Sequence, residues 1–533
     1  MAPYKIVLSL ESTEDNMMSI MRRLVSVLAR KKFKEMERIL SAPIEHSEKK
    51  LFEIIESQKN TQFGMEYDFQ SICNIDEWME RVPLSTHQSR LPYLQRIYDD
   101  PDCQALTMES PFAYLQTSGT TGKPKHLPVT ASGSKDTSKG SMNTLMAFMM
   151  ADNEHPKILD GTMLIFGAPA ELDTINGIPV GYATGVLGRR QNKIFQRLMK
   201  PGEEIFNITD MDDKMRAYAK IAATEKITAL QGITTLSLAL MRRMQELYGP
   251  WLLEELKGTK HESKIRRAMY SDGKLDVAEL WPDLKLFYAM GIDTDPYREW
   301  ISKTLPDTMI WEVYGGSEGC FAGQMYPDKK GMQLIPHLTY FEFIPEKECE
   351  KPNPKVIPLS EVKKGFRYEI VLTTIGGYYR YRNGDMLTIT DTQPYTIRSV
   401  GRKGRVVNLS GEKLSEAHVS NAITYACSRT SAELMDYSVV GVVNNGLPQY
   451  TIAAMFRNSE VDITEFVFAF EDHLKQTNEE FRVVRETGAL GPTSLVRMVK
   501  SHFEDIVKSS HIQAKPIPLT TDRKILESCT IYG

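Results

Sequence analysis

Three features predict an α/β protein with a large N-terminal domain and a smaller α+β C-terminal domain. Short apolar runs alternate with helical stretches from about Tyr114 onward. Residues 365–400 turn rich in β-branched and aromatic residues, and the remainder mixes strands with helices in a stretch of domain size. A chain of 533 residues exceeds what one hydrophobic core usually covers, so length adds a prior of about two to four domains.

The elements follow in order. Residues 16–100 read as mostly helical, and 16–42 (NMMSIMRRLVSVLARKKFKEMERILSA) have helical periodicity with a basic face. Such a helix can lie on a membrane surface, but packing on its own domain is the expected arrangement for an amphipathic helix. The apolar runs GTMLIFGAP, LKLFYAMG and DTMIWEVYG read as strands, separated by helical stretches such as EEIFNITDMDDKMRAYAKIAATE. GFRYEIVLTTIGGYYRYRNGDMLTITDTQPYTIRSVG reads as antiparallel strands, with turn signals at Gly376-Gly377, Asn383-Gly384 and Gln393-Pro394. GRKGR (401–405) holds two glycines in five residues and marks a hinge. Beyond it, YSVVGVV and QYTIAAMF read as strands and ITEFVFAFEDHLKQTNEEFR as helix.

Composition narrows the function class. At 41% hydrophobic, 25% charged and net charge −4, the chain offers no basic stripe for nucleic acid. Its six cysteines have no metal-ligand spacing and fit reduced thiols in a cytoplasmic protein. No apolar run approaches the roughly 20 residues needed to span a bilayer, and the first residues lack a signal-peptide pattern.

The chemistry begins at TSGTTGKPK (Thr117–Lys125). Its glycines permit close approach of backbone to a ligand, its hydroxyls donate, and Lys123 and Lys125 carry positive charge, a set that suits a polyphosphate. It is not a Walker A loop, because Gly122-Lys123 is followed by Pro124 rather than Ser or Thr. Alone it also reads as a polar turn. VYGGSEG places one carboxylate, Glu318, after small residues at the end of an apolar run, where Mg²⁺ shared with phosphate is the expected partner. YYRYRNGD ends in Asp385 on a tight turn, where a carboxylate can accept from two ribose hydroxyls. Each motif has a bland reading alone: a capping Glu, a turn Asp, a solvated basic loop.

The order of these motifs resembles that of the adenylate-forming superfamily, which contains acyl-CoA synthetases, luciferases and peptide-synthetase adenylation domains. With YFEFIP (Tyr340–Pro345), the YEIVLTT…YRYRNGD run and HIQAKPIPL (His511–Leu519), the chain resembles the auxin-conjugating Gretchen Hagen family of acyl acid amido synthetases, from about Tyr114 to Pro516. It departs in its loop, Thr-Ser-Gly-Thr-Thr-Gly rather than Ser-Ser-Gly-Thr-Ser, and in Tyr-Gly-Gly-Ser-Glu rather than Tyr-x-Ser-Ser-Glu, which points away from a plant-hormone acid.

The resemblance implies a large N-terminal ATP- and acyl-acid-binding domain, 1–401, with β-sheets and a β-barrel-like part, and a small mobile C-terminal domain, 402–533. It implies that Thr117, Ser118, Gly119, Thr120, Thr121, Gly122 and Lys125 cradle the triphosphate. Tyr314, Gly315, Gly316 and Ser317 would line the nucleotide site and Glu318 would hold Mg²⁺. Tyr340 and Phe341 would pack near adenine, Asp385 would hold the ribose with help from Arg402, and Lys515 would reach the α-phosphate. Lys524, in PLTTDRK, is the rival C-terminal lysine. The implied activity is ATP-dependent adenylation of a carboxylic acid, then transfer to an amino acid or amine. Transfer to coenzyme A or to a separate carrier protein is the alternative. His337 and His418 are candidates for the base only by residue type.

Overall fold

The computed structural model describes residues 2–117, 125–190, 193–292, 294–402, 406–410, 412–444, 447–458, 460–486, 489–498, 517–527 and 529–530. Helix Ala2–Ser41 opens the chain. Its buried Ala29, Met36, Ile39 and Leu40 pack into one core cluster with Leu145–Met149 and Trp311, so the amphipathic helix does pack on its own domain. Helix Pro43–Gln58 starts on a proline, whose missing N–H costs nothing in a first turn, and buries Leu51, Ile54 and Ile55 at helical spacing. Thr86 and Ser89 form a reciprocal capping box that starts helix His87–Asp99.

The hairpin β1 (Ala113–Thr117) and β2 (Lys125–Val129) closes with Thr117 opposite Lys125. β1 pairs on its other side with a short strand of its own small sheet. The main sheet has twelve strands. Its parallel half runs β3 (Thr162–Phe166), β4 (Met199–Lys200), β5 (Ile227–Gly232), β6 (Leu286–Met290) and β7 (Met309–Gly316). All six residues of β5 are buried, as expected for a parallel strand covered on both faces. At β8 (Gly319–Gly323) the sheet turns antiparallel and continues through β9 (Met332–Leu334), β10 (Tyr340–Pro345), β11 (Ile357–Pro358), β12 (Arg367–Thr374), β13 (Tyr378–Thr392) and β14 (Tyr395–Arg402).

The expected barrel-like part is corrected here. The sheet runs in linear order from β11 at one edge to β4 at the other, with no closure among the described strands. β9 joins β8 to β14, so the antiparallel strands extend the parallel sheet instead of curling on themselves. Register shifts along β13 bend the sheet locally, as bulges do.

Past residue 406 a five-stranded sheet is built around the hairpin of Leu434–Asn444 with Leu447–Phe456. Helices Glu416–Thr430 and Ile463–Thr477 bury their apolar faces in the same core. The two parts share one apolar core cluster, and specific polar contacts add to it. The Arg242 guanidinium, 4% exposed, donates to the Met435 carbonyl at 2.6 Å. Lys303 pairs with Glu433 at 3.5 Å.

Candidate active site

The carboxyl ends of β3, β5, β6 and β7 open into one cleft of about 1020 Å³, the edge at which open α/β sheets bind ligands. Sequence-distant residues line this cleft together: Thr117 and Lys125, Tyr314 through Glu318, and Asp385. The C-terminal part contributes Glu416, Ala417, Ser420, Tyr437 and Pro518.

The Tyr314–Gly319 segment is a tight antiparallel reversal, with Gly316 opposite Gly319. A Cβ on Gly315 would lie 2.6 Å from the Gly319 carbonyl, and Gly319 itself has φ +154°. The small residues of YGGSEG are therefore what lets the turn close and carry Ser317 and Glu318 into the cleft. Asp385 follows Gly384, whose φ is +82°. Its Oδ2 accepts from the Tyr314 hydroxyl at 2.7 Å. Backbone register places Arg402 opposite Asp385 across β13 and β14.

A second polar group sits in the same cleft. Asp295 accepts from Arg298 at 2.7 Å and also pairs with Arg398, while Arg298 donates to Glu312 at 2.6 Å and Thr294 donates to Glu312 as well. Asp295, Glu312 and Arg398 all line the cleft. Met142, Leu145, Ile165, Phe206, Met290 and Ile292 supply apolar lining.

The GH3 family N-terminal domain matches residues 32–248, the GH3 family central domain 332–402, and the GH3 family C-terminal domain 417–523. This chain belongs to the GH3 family. It is 24% identical over 460 residues to the indole-3-acetic acid-amido synthetase GH3.2 of Arabidopsis thaliana, covering 76% of this chain and 82% of that protein. It is 24% identical over 436 residues to the jasmonoyl-L-amino acid synthetase JAR4 of Nicotiana attenuata, covering 73% and 74%. The solved GH3.15 acyl acid amido synthetase shares the fold at TM-score 0.75 and 18% identity, over 94% of this chain and 96% of that one. A 2-hydroxyisobutyryl-CoA ligase in the postadenylation state shares it at TM-score 0.57 and 11% identity, over 93% and 91%.

Within this GH3 protein, the expected site residues divide into three groups. Thr117, Lys125, Tyr314, Gly315, Gly316, Ser317, Glu318 and Asp385 line the cleft. Ser118, Gly119, Thr120, Thr121, Gly122 and Lys515 lie outside the described residues, as does the Arg402 side chain. Tyr340 and Phe341 correct the expectation of an adenine contact, because neither lines the cleft. Successive residues of a strand face opposite ways, and both faces of β10 are covered. Tyr340, 2% exposed, packs into the core formed with the N-terminal helices, and Phe341, fully buried, packs into the core under β12 and β13.

Neither histidine lines the cleft. Burial, with Lys139 and other cations nearby, pushes His337 down to about 3. Burial also pushes His418 down to about 4, and its ring accepts from the Ser415 backbone N–H in the capping box of helix Glu416–Thr430. Lys524 begins a short exposed helix and does not line the cleft, whereas Pro518, three residues after Lys515, does. Of the Asp295–Arg298–Glu312–Arg398 group, Arg298, Glu312 and Arg398 escaped sequence reading, since they carry no motif spacing, whereas Asp295 stands in GIDTDPY, a stretch that borders the acid in enzymes this chain resembles. Asn383 escaped too, although it stands inside the same YRNGD run as Asp385.

Proposed function

We propose that this GH3 protein adenylates a carboxylic acid with ATP and passes the acyl group to an amino acid or amine, releasing pyrophosphate and AMP. The carrying observation is the convergence of Lys125, Glu318 and Asp385, 260 residues apart in sequence, on one cleft. A carboxylate is a poor acyl donor because oxide would have to leave. Attack of one carboxylate oxygen on the α-phosphorus forms the acyl–phosphate bond and breaks the bond to pyrophosphate, after which AMP is the leaving group. Negative charge spreads over the phosphate oxygens in the transition state, so the protein's task is positioning and electrostatic stabilisation.

In this reading Lys125 and the hydroxyls of the Thr117–Gly122 loop hold the triphosphate, Tyr314–Ser317 border the nucleotide, and Asp385 with Arg402 grips the ribose. Glu318, one carboxylate on a glycine-bounded turn of the cleft that Lys125 also lines, fits a Mg²⁺ ion that also takes phosphate oxygens. Bound there, the ion would neutralise phosphate charge. Lys515 reaches the α-phosphate from the C-terminal domain, and the position of Pro518 on the cleft supports it over Lys524. The domain boundary at 401–402, with a hinge at 401–405, lets the C-terminal domain move between the two half-reactions while closure excludes water from the adenylate. The apolar lining of the cleft suits an acid with an apolar body. The protein works in the cytoplasm, consistent with the unbridged thiols of Cys73, Cys103, Cys320 and Cys427. Among the described residues no helix is long and apolar enough to cross a membrane.

The test is pyrophosphate release with ATP, Mg²⁺ and pooled carboxylic acids, with and without pooled amino acids or coenzyme A. Release that rises with an amino acid, with the amide detected by mass, is the expected result. Release that requires coenzyme A or a carrier protein moves the chain to the thioester ligases, whose fold it shares. ATP binding with no release from any pool overturns the enzymatic reading.

A further inference from the structure

Tyr314, Asn383 and Asp385 meet on one wall of the cleft. The Tyr314 hydroxyl donates to Asp385 Oδ2 at 2.7 Å, and Asn383 Nδ2 donates to the same oxygen at 2.9 Å. Asn383 Nδ2 also stands 3.3 Å from the Tyr314 hydroxyl. In the other direction, the Asp385 backbone N–H donates to Asn383 Oδ1 at 2.9 Å. Both ends of the Asn383 amide are thus engaged with Asp385, which fixes which way the amide points. Gly384, at φ +82°, supplies the left-handed turn that folds Asn383 back onto Asp385. The Tyr314 ring is held in turn by Phe321, with centroids 5.4 Å apart at 60°.

A carboxylate that grips two vicinal hydroxyls must present its oxygens in one plane. Rotation about the terminal bond of an aspartate is soft, with a broad preference. Two donors on one oxygen, anchored on separate strands, remove that freedom before any ligand arrives, which is the condition for an interaction that needs no reorganisation. We propose that Tyr314 and Asn383 are positioning residues that hold the Asp385 carboxylate in the orientation that receives the ribose hydroxyls of ATP. The inference rests on the adenylation reading given above and goes beyond it in assigning Asn383 and the Tyr314 hydroxyl a role exerted through Asp385. Their effect is therefore expressed only when the ribose hydroxyls are present.

The experiment measures the affinity of the full chain for ATP, 2′-deoxy-ATP and 3′-deoxy-ATP by calorimetry. It uses the wild type, Tyr314→Phe, Asn383→Ala and Asp385→Ala, each checked for native circular dichroism. Wild type is expected to bind at least one deoxy analogue roughly tenfold or more weakly than ATP, the size of a hydrogen bond to a charged group. Asp385→Ala removes that discrimination. Tyr314→Phe and Asn383→Ala each shrink it by roughly threefold or more, weakening ATP more than the deoxy analogue. A variant that weakens ATP and its deoxy analogues by one common factor acts on the fold, and that outcome overturns the proposal. So does a wild type that binds ATP without discriminating the analogues, which leaves the adenylation reading standing. A wild type that neither binds ATP nor releases pyrophosphate sinks the adenylation reading itself, and the proposal with it. Should Asn383→Ala fail to fold, Tyr314→Phe decides alone, since it keeps the ring and deletes one oxygen.

Discussion

Replacing Glu342 with Gln leaves the Arg380 guanidinium in the core without its counter-charge. The pair is almost wholly enclosed, with the side chains 5% and 1% exposed. Arg380 Nε donates to the two Glu342 oxygens at 3.0 and 3.1 Å, and NH2 approaches Oε1 at 2.9 Å. NH1 donates to the Met79 and Val82 carbonyls at 2.5 and 2.6 Å, and Trp78 Nε1 donates to Glu342 at 3.4 Å. These contacts pin helix Ile75–Arg81 to β10 and β13, so the YRYR run carries a structural ion pair a few residues before Asp385. Breaking one half of such a pair costs about 3–5 kcal/mol, and Gln, which keeps one acceptor oxygen, falls at about 3. With about 2.1 cal/mol/K of unfolding entropy per residue over roughly 400 residues, that is a fall of about 4 °C in Tm. Scanning calorimetry of the full chain measures it, with ATP affinity at 20 °C expected to match wild type. The double change Glu342→Leu with Arg380→Met should recover much of the loss, because a buried ion pair is often replaceable by apolar side chains. The reasoning fails if Glu342→Gln melts within about 1 °C of wild type yet loses ATP affinity. It fails equally if the double change melts below both single ones.

Glu318→Gln should lower pyrophosphate release at saturating ATP by about a hundredfold or more, with the fold intact by circular dichroism, since it removes the carboxylate that would hold Mg²⁺ against the reacting phosphates. Lys515→Ala should abolish release at a similar scale while Lys524→Ala leaves it within about twofold, and the reverse pattern would assign Lys524 instead. Stability should rise as pH climbs from about 4 to about 6.5. His87 and His418 are pushed down to about 4 and His337 to about 3, chiefly by burial, so across that window the unfolded chain binds more protons than the folded one. Melting temperature against pH measures this, and His337→Phe should flatten the slope.

Much of the architecture was legible in period and punctuation. GTMLIFGAP, LKLFYAMG and DTMIWEVYG became β3, β6 and β7, and the residue 365–400 run became β12, β13 and β14. Local signals sufficed there, because an apolar run bounded by turn residues has few other uses. Glu318 and Asp385 were legible for the same reason: each follows a glycine-bearing turn whose geometry is encoded within five residues. Tyr340 and Phe341 were misread because strand alternation states that two neighbours face opposite ways, not what covers either face. Asn383 was passed over because its partner oxygen and the Tyr314 hydroxyl meet only after β7 and β13 are folded into one sheet.

By itself the sequence determined the class of fold, the order of the motifs and the chemistry they can perform, since those depend on backbone propensities and on functional groups close together in the chain. Tertiary structure alone decided which of those groups share a cleft and which are sealed away. Glu342 meets Trp78 across 264 residues, and the helices that close over Tyr340 come from the N-terminal hundred. Burial and pairing of that kind are set by contacts between segments whose separation in sequence carries no record of their meeting, and they turn an aromatic near the motifs into core and an asparagine beside one into a guide for its aspartate.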